Sequence, residues 1–186
     1  MFLVSIGYTM VIPFLPLYLL EIGVPEESIA LWTGIVFSSC FLVAGIMGPV
    51  WGKMADTRGK KQMAIRAGVF LGFSYLFCGL SQNAWQMTAA RAFMGFSNGF
   101  VAASMAIISV SADPKNLGAT LGMGQTALIV GGIAGPLVGG TLAHLIGIRN
   151  TFFISAAFLW FVAVLVILYI NCLLYTSPSP RDTERS

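Results

Sequence analysis

One guanidinium stands inside oily sequence. Arg91 falls within the apolar run from Ala84 to Ile108. If a helix starts near Ala84, Arg91 lies ~10 Å in, at ~1.5 Å per residue. A charge at that depth is costly in a bilayer and reads by default as functional. The structural alternative is an arginine that snorkels to the surface. Two amides, Asn98 and Gln125, are embedded as well, and either can simply bond a neighbouring helix. His144, near the end of its apolar run, reads as an interfacial bystander. The acids lie elsewhere: Glu21, Glu26, Glu27, Asp56, Asp113, Asp182 and Glu184 all sit between or after the apolar runs. An acid embedded in a bilayer usually marks function, and none of these seven lies deep in an apolar run. An intramembrane enzyme would need convergent Ser and His, paired Asp or metal ligands. One His and no embedded acid pair argue against it, and no enzyme activity is expected. Cys40 and Cys78 lie in apolar runs, where a thiol is a small hydrophobe, and their spacing is no metal motif.

The elements that must position these groups are membrane spans. The 186 residues are 57% hydrophobic and only 9% charged, against about 25% charged in a soluble domain. A net charge of +3 is too small and too local to suggest nucleic acid. Six apolar runs are long enough, at about 20 residues, to cross a bilayer: Met1–Leu20, Ile29–Trp51, Ala64–Ser81, Ala84–Ile108, Ala119–Leu145 and Thr151–Ile170. The connection after the second run holds Lys53, Arg58, Lys60, Lys61 and Arg66, whereas the one after the first holds Glu21, Glu26 and Glu27. Basic loops stay in the cytoplasm, so the N-terminus and the end of the sixth run are expected inside. A six-helix cation channel would show an arginine ladder or a filter loop, and neither is present. No cleavable signal peptide is visible at Met1-Phe2-Leu3.

Four spacings add detail. In the fifth run, Gly122, Gly131, Gly135-Pro136 and Gly139-Gly140 follow one fixed pattern. Steps of four return nearly to one helix face, so Gly131, Gly135 and Gly139 form a bare groove for a close helix partner. Pro136 withholds a hydrogen bond from the Gly132 carbonyl, which predicts a bend. The first run carries Gly7, Pro13 and Pro16, read either as a bend or as a helix end. Between the second and third runs stands Gly52-Lys53-Met54-Ala55-Asp56-Thr57-Arg58-Gly59-Lys60-Lys61. Its glycines permit a sharp turn, and Asp56 can accept from helix amides and neighbouring bases. The fourth run holds Arg91, Gly95 and Gly99.

Together these spacings resemble those of the drug:proton antiporters of the major facilitator superfamily. The match departs at Thr57, where a base is common, and at Met94, where a polar residue is common. The resemblance implies an all-α fold of six transmembrane helices, arranged as two inverted three-helix repeats. It implies proton-coupled efflux of lipophilic compounds, driven by the proton gradient with no cofactor or metal. Helices 1 and 4 would line the cavity, with Tyr8, Phe14, Met94 and Asn98 as candidates and Arg91 tied to proton coupling. Asp56 and its glycines would latch one access state against a second six-helix half, and the glycine row of helix 5 would form a tight contact. An exporter of sugars or other metabolites on the same fold is the nearest rival. An internal match supports the repeat: Gly45-Ile46-Met47-Gly48-Pro49-Val50-Trp51-Gly52 and Gly132-Ile133-Ala134-Gly135-Pro136-Leu137-Val138-Gly139 both read Gly-Ile-x-Gly-Pro-x-x-Gly. Sliding one onto the other sets helix 1 on helix 4 and helix 3 on helix 6. Residues 1–171 are thus expected to form the bundle. Cys172–Asp182 back-translates to a common sequencing adaptor, so the tail at 172–186 is expected to be read-through, with a native second half absent from the chain.

Overall fold

The computed structural model describes residues 1–58, 60–111 and 115–174, and among them there is no β-strand. The first span is helix α1 (Phe2–Thr9), a 3-10 turn (Ile12–Phe14) and helix α2 (Leu15–Glu21). It is followed by α3 (Ile29–Arg58), α4 (Lys60–Leu80), α5 (Ala84–Ser97), α6 (Phe100–Ser111), α7 (Leu117–Ile146) and α8 (Ile148–Leu174). Among the described residues, five stretches are long and apolar enough to cross a membrane: Phe2–Glu21, Glu26–Met54, Gln62–Leu80, Leu117–Ile146 and Ile148–Leu168.

The fourth expected span is present but broken. It runs as two helices, of 14 and 12 residues, split at Asn98-Gly99; together, not singly, they have the ~20 residues a crossing needs. Asn98 is extended (φ −61°, ψ 158°) and Gly99 has φ +125°. Only glycine takes that backbone cheaply. The Asn98 Oδ1 accepts from the Gly99 N–H at 2.8 Å, a local bond that competes with the helix. The first span breaks in a related way. Pro13 has no N–H to give the Thr9 carbonyl, and α1 ends at Thr9. Pro16 falls in the first turn of α2, where a missing N–H costs nothing. The prolines therefore interrupt the span and restart it. By contrast, Pro136 lies inside α7 and Pro49 inside α3 without interrupting either helix.

Freed backbone groups inside a membrane must find partners. The Tyr8 carbonyl, at the end of α1, accepts from the Tyr75 hydroxyl of α4. The Phe96 carbonyl, at the end of α5, accepts from the Trp51 indole of α3 at 2.9 Å. Both breaks are thus closed by an aromatic donor from a neighbouring helix.

The packing has the symmetry of the sequence repeat. Exchanging the first three spans for the last three maps α1 onto α5, α3 onto α7 and α4 onto α8. Under that exchange the α3–α5 contact becomes α7–α1, α4–α5 becomes α8–α1, and α3–α4 becomes α7–α8; the α4–α8 contact maps onto itself. All of these pairs pack together. The core where they meet is apolar and centred on Leu15, Tyr18, Leu19, Tyr75, Met87 and Phe152. The outer faces are apolar too, for example Leu42, Ile46, Ile133 and Leu137, as a hydrocarbon solvent demands. Gly59, the side chains of Asp56, Arg58, Lys60 and Lys61, and residues 175–186 lie outside the described residues. α8 continues through Leu174, past the expected boundary at Asn171.

Candidate functional site

A cavity of ≈ 190 Å³ opens between the two broken spans. From α1 it takes Val4, Ser5 and Tyr8; from the end of α5 it takes Met94, Ser97 and Asn98. Cys40, Ala67, Leu71, Val101 and Leu128 complete the wall from α3, α4, α6 and α7. Met94, Ser97, Asn98 and Val101 follow the i, i+3, i+4, i+7 spacing of one helix face, and they share one surface across the break at Asn98-Gly99. Its polar groups are hydroxyls and one amide, with no ionisable acid or base among the lining residues beyond the Cys40 thiol and Tyr8 phenol. Such a wall binds by apolar area, with a few hydrogen bonds to orient the guest. Its volume falls short of the ~300 Å³ at which drug-sized pockets begin.

Tyr8, Met94 and Asn98 line this cavity. Phe14 and Arg91 do not. Phe14 sits beyond the break, its ring close against Gly140, because the 3-10 turn rotates it away from α1's face. Arg91 is buried, only 2% exposed, which excludes snorkelling. Its Nη1 donates to the Met94 Sδ at 3.5 Å, and its guanidinium carbon lies 5.8 Å from the Phe37 ring centroid. Nε and Nη2 have no hydrogen-bond partner among the described residues. A soft sulfur and a distant ring compensate a cation poorly. The arginine is set one side chain back from the cavity, behind Met94, with half its fork unused.

The glycine row of α7 has an occupant within this half. A methyl on Gly131 would come within 2.7 Å of the Phe2 carbonyl oxygen, and one on Gly135 within 2.9 Å of the Ile6 carbonyl oxygen. A methyl on Gly139 would overlap the Met10 carbonyl. The row thus receives the backbone of α1. Across this crossing Ser5 Oγ donates to the Leu128 carbonyl at 2.6 Å. Gly122, at the other end of the motif, meets nothing within 4 Å. Gly7 faces Leu159 and Phe158 of α8, and Gly95 receives the Cys40 carbonyl and Ala44 amide of α3. Gly52 is open.

Sequence reasoning missed a polar cluster at the end of the bundle that carries Glu21. Arg149, at the start of α8, donates from Nη2 to the Ser81 carbonyl at 3.0 Å and from Nε to the Tyr18 hydroxyl at 3.3 Å. The Tyr18 hydroxyl lies 3.2 Å from both the Gly79 and Ser81 carbonyls. These bonds tie α2, α4 and α8 together and cap the exposed C-terminal carbonyls of α4. The only sequence signal was a basic residue at the mouth of an apolar run. Among the described residues, no three His, Cys, Asp or Glu gather as metal ligands.

Comparison with known proteins places this architecture. A sequence profile of the Major Facilitator Superfamily matches residues 1–186. A protein of Proteus mirabilis (strain HI4320) named multidrug resistance protein MdtG is 40% identical over 182 residues, covering 97% of this chain and 45% of that protein. Proteins of the same name from Yersinia enterocolitica and Escherichia fergusonii are 38% and 40% identical over 171 residues, covering 91% of this chain and 41% and 42% of theirs. The chain thus spans less than half the length of these curated relatives. With the profile matched end to end and the inverted three-plus-three packing in place, the chain belongs to the major facilitator superfamily, as its N-terminal six-helix half.

Proposed function

We propose that this chain forms one half of a proton-coupled exporter of lipophilic drugs that works by alternating access. The observation that carries the reading is the pair of broken spans, at repeat-related places, flanking a mostly apolar cavity with the unpaired Arg91 behind its wall. Broken helices in matching places of two repeats mark substrate sites in transporters. An apolar wall favours lipophilic cargo over sugars, whose hydroxyls would each need a partner. The relatives' name, multidrug resistance protein, points the same way.

In this reading the second six-helix half supplies the other wall and the titratable acid. Substrate binds between the halves, which rock around it. Arg91, fixed and buried, holds that acid ionised until a proton displaces it. The N-terminus and the end of α8 face the cytoplasm, which puts Lys53, Lys60 and Lys61 inside. Gly52, Asp56, Arg58, Gly59, Lys60 and Lys61 latch the second half in one access state. Alone, the chain does not transport.

The test is dye efflux from vesicles holding this half joined to a cognate second half. Efflux should stop when the proton gradient is collapsed, and Arg91→Gln should lower it at least tenfold, a barrier change of about 1.4 kcal/mol or more. Efflux indifferent to the gradient would overturn the antiporter reading.

A further inference from the structure

We infer that Trp51 of α3 clamps the break in the fourth span and so sets the shape of a cavity that its own side chain does not line. Trp51 is not among the lining residues. Its indole N–H donates to the Phe96 carbonyl at 2.9 Å, and its ring meets the Phe96 ring edge-on, with centroids 5.0 Å apart at 80°. In an unbroken helix that carbonyl would accept from residue 100; here the helix stops at Ser97. On the other side, the Arg66 guanidinium carbon lies 3.3 Å from the Trp51 ring centroid. Arg66 Nε and Nη1 are buried with no hydrogen-bond partner among the described residues, so the indole face carries much of that charge's compensation. The far side of the break joins the same cluster: Trp51 and Ile107 of α6 both pack on Met63 and Ala64.

One side chain therefore touches α4, the last turn of α5 and the cluster that seats α6. Ser97, Asn98 and Val101, astride the break, are cavity wall. Trp51 is a positioning residue: it fixes the angle at which those three groups are presented. Anything that moves Arg66, a few residues from the basic turn at Lys60, moves them. The consequence for transport rests on the exporter reading; the clamp itself does not. The Tyr75 hydroxyl on the Tyr8 carbonyl holds the other break and supplies an internal control.

The test is amide and indole hydrogen exchange on the full chain in lipid nanodiscs. In the unsubstituted chain the Trp51 indole N–H should exchange at least about tenfold more slowly than that of Trp85, whose side chain is 72% exposed. Trp51→Phe keeps a ring for Arg66 and removes the N–H; the amides of Gly95–Asn98 should then exchange about tenfold faster, with those of Ile6–Met10 unchanged. Tyr75→Phe should give the reverse pattern, and Arg66→Met the Trp51→Phe pattern in weaker form. Equal exchange of the Trp51 and Trp85 indoles, which needs no variant, would overturn the clamp. So would a Trp51→Phe effect spread evenly over both breaks. None of these readouts needs transport, so they fail or hold apart from the exporter reading.

Discussion

The α1–α7 crossing and the α3–α5 crossing are equivalent in the two repeats, yet they make their close approach from opposite sides. In the first, α7 supplies the glycines, Gly131, Gly135 and Gly139, and the α1 backbone enters them. In the second, α5 supplies Gly95, and the backbone of α3 enters at Cys40 and Ala44. The repeated Gly-Ile-x-Gly-Pro-x-x-Gly sequence is therefore used twice in two ways. On α7 it is filled. On α3 its counterparts Gly45, Gly48 and Gly52 meet nothing within 4 Å. Lipid tails are as apolar as a leucine, so helices in a bilayer associate through close packing rather than through exclusion of water. A row of small residues can be satisfied by whichever backbone reaches it, and the duplication preserved the row without preserving its partner.

Alanine at matched positions would break or sharpen this contrast. Gly139→Ala should be the most damaging, because the added methyl meets the Met10 carbonyl, backbone that cannot rotate away. A loss of about 3 kcal/mol is expected in a detergent unfolding titration of this half, the upper range for overpacking. Gly95→Ala meets the Cys40 carbonyl and should cost about 2 kcal/mol on the same scale, since α5 is short and ends two residues later, at Ser97. If Gly95→Ala proved harmless, the symmetry between the crossings would be lost. Tyr18→Phe removes the hydroxyl shared by Gly79, Ser81 and Arg149 and should cost about 1 kcal/mol. Gly52→Ala, the repeat partner of Gly139, should change stability of this half by less than about 0.5 kcal/mol, and yet lower efflux once a second half is joined. A large loss in the isolated half would mean that the α3 row is not open.

Much of this was legible in the chain. The hydropathy runs located the spans, and the repeated motif located the pseudo-symmetry, because both are local patterns that a bilayer enforces. The break in the fourth span was written there as well: Asn98-Gly99 is a turn dipeptide, but a long apolar run outweighed it. Other features were not legible. Phe14 lies in the 3-10 turn, off the wall that Tyr8 and Asn98 share, and no local spacing marks where that turn falls. Tyr75 and Trp51 gave no sign that they would serve broken helices, because their acceptors lie in other spans, 67 and 45 residues away in sequence. The Arg149 cluster joins three helix ends in the same way.

By itself the sequence determined that this protein lives in a membrane, that its spans are duplicated with opposite orientation, and that one buried-length run carries a charge. The bilayer imposes those features on each span separately, through the cost of exposing polar groups to hydrocarbon. Only the tertiary structure decided which glycine row is filled and which is open, that Arg91 is enclosed rather than drawn to the surface, and which side chains close the two breaks. Those outcomes depend on distances of a few ångströms between backbones far apart along the chain, and no pattern within one span encodes its neighbour.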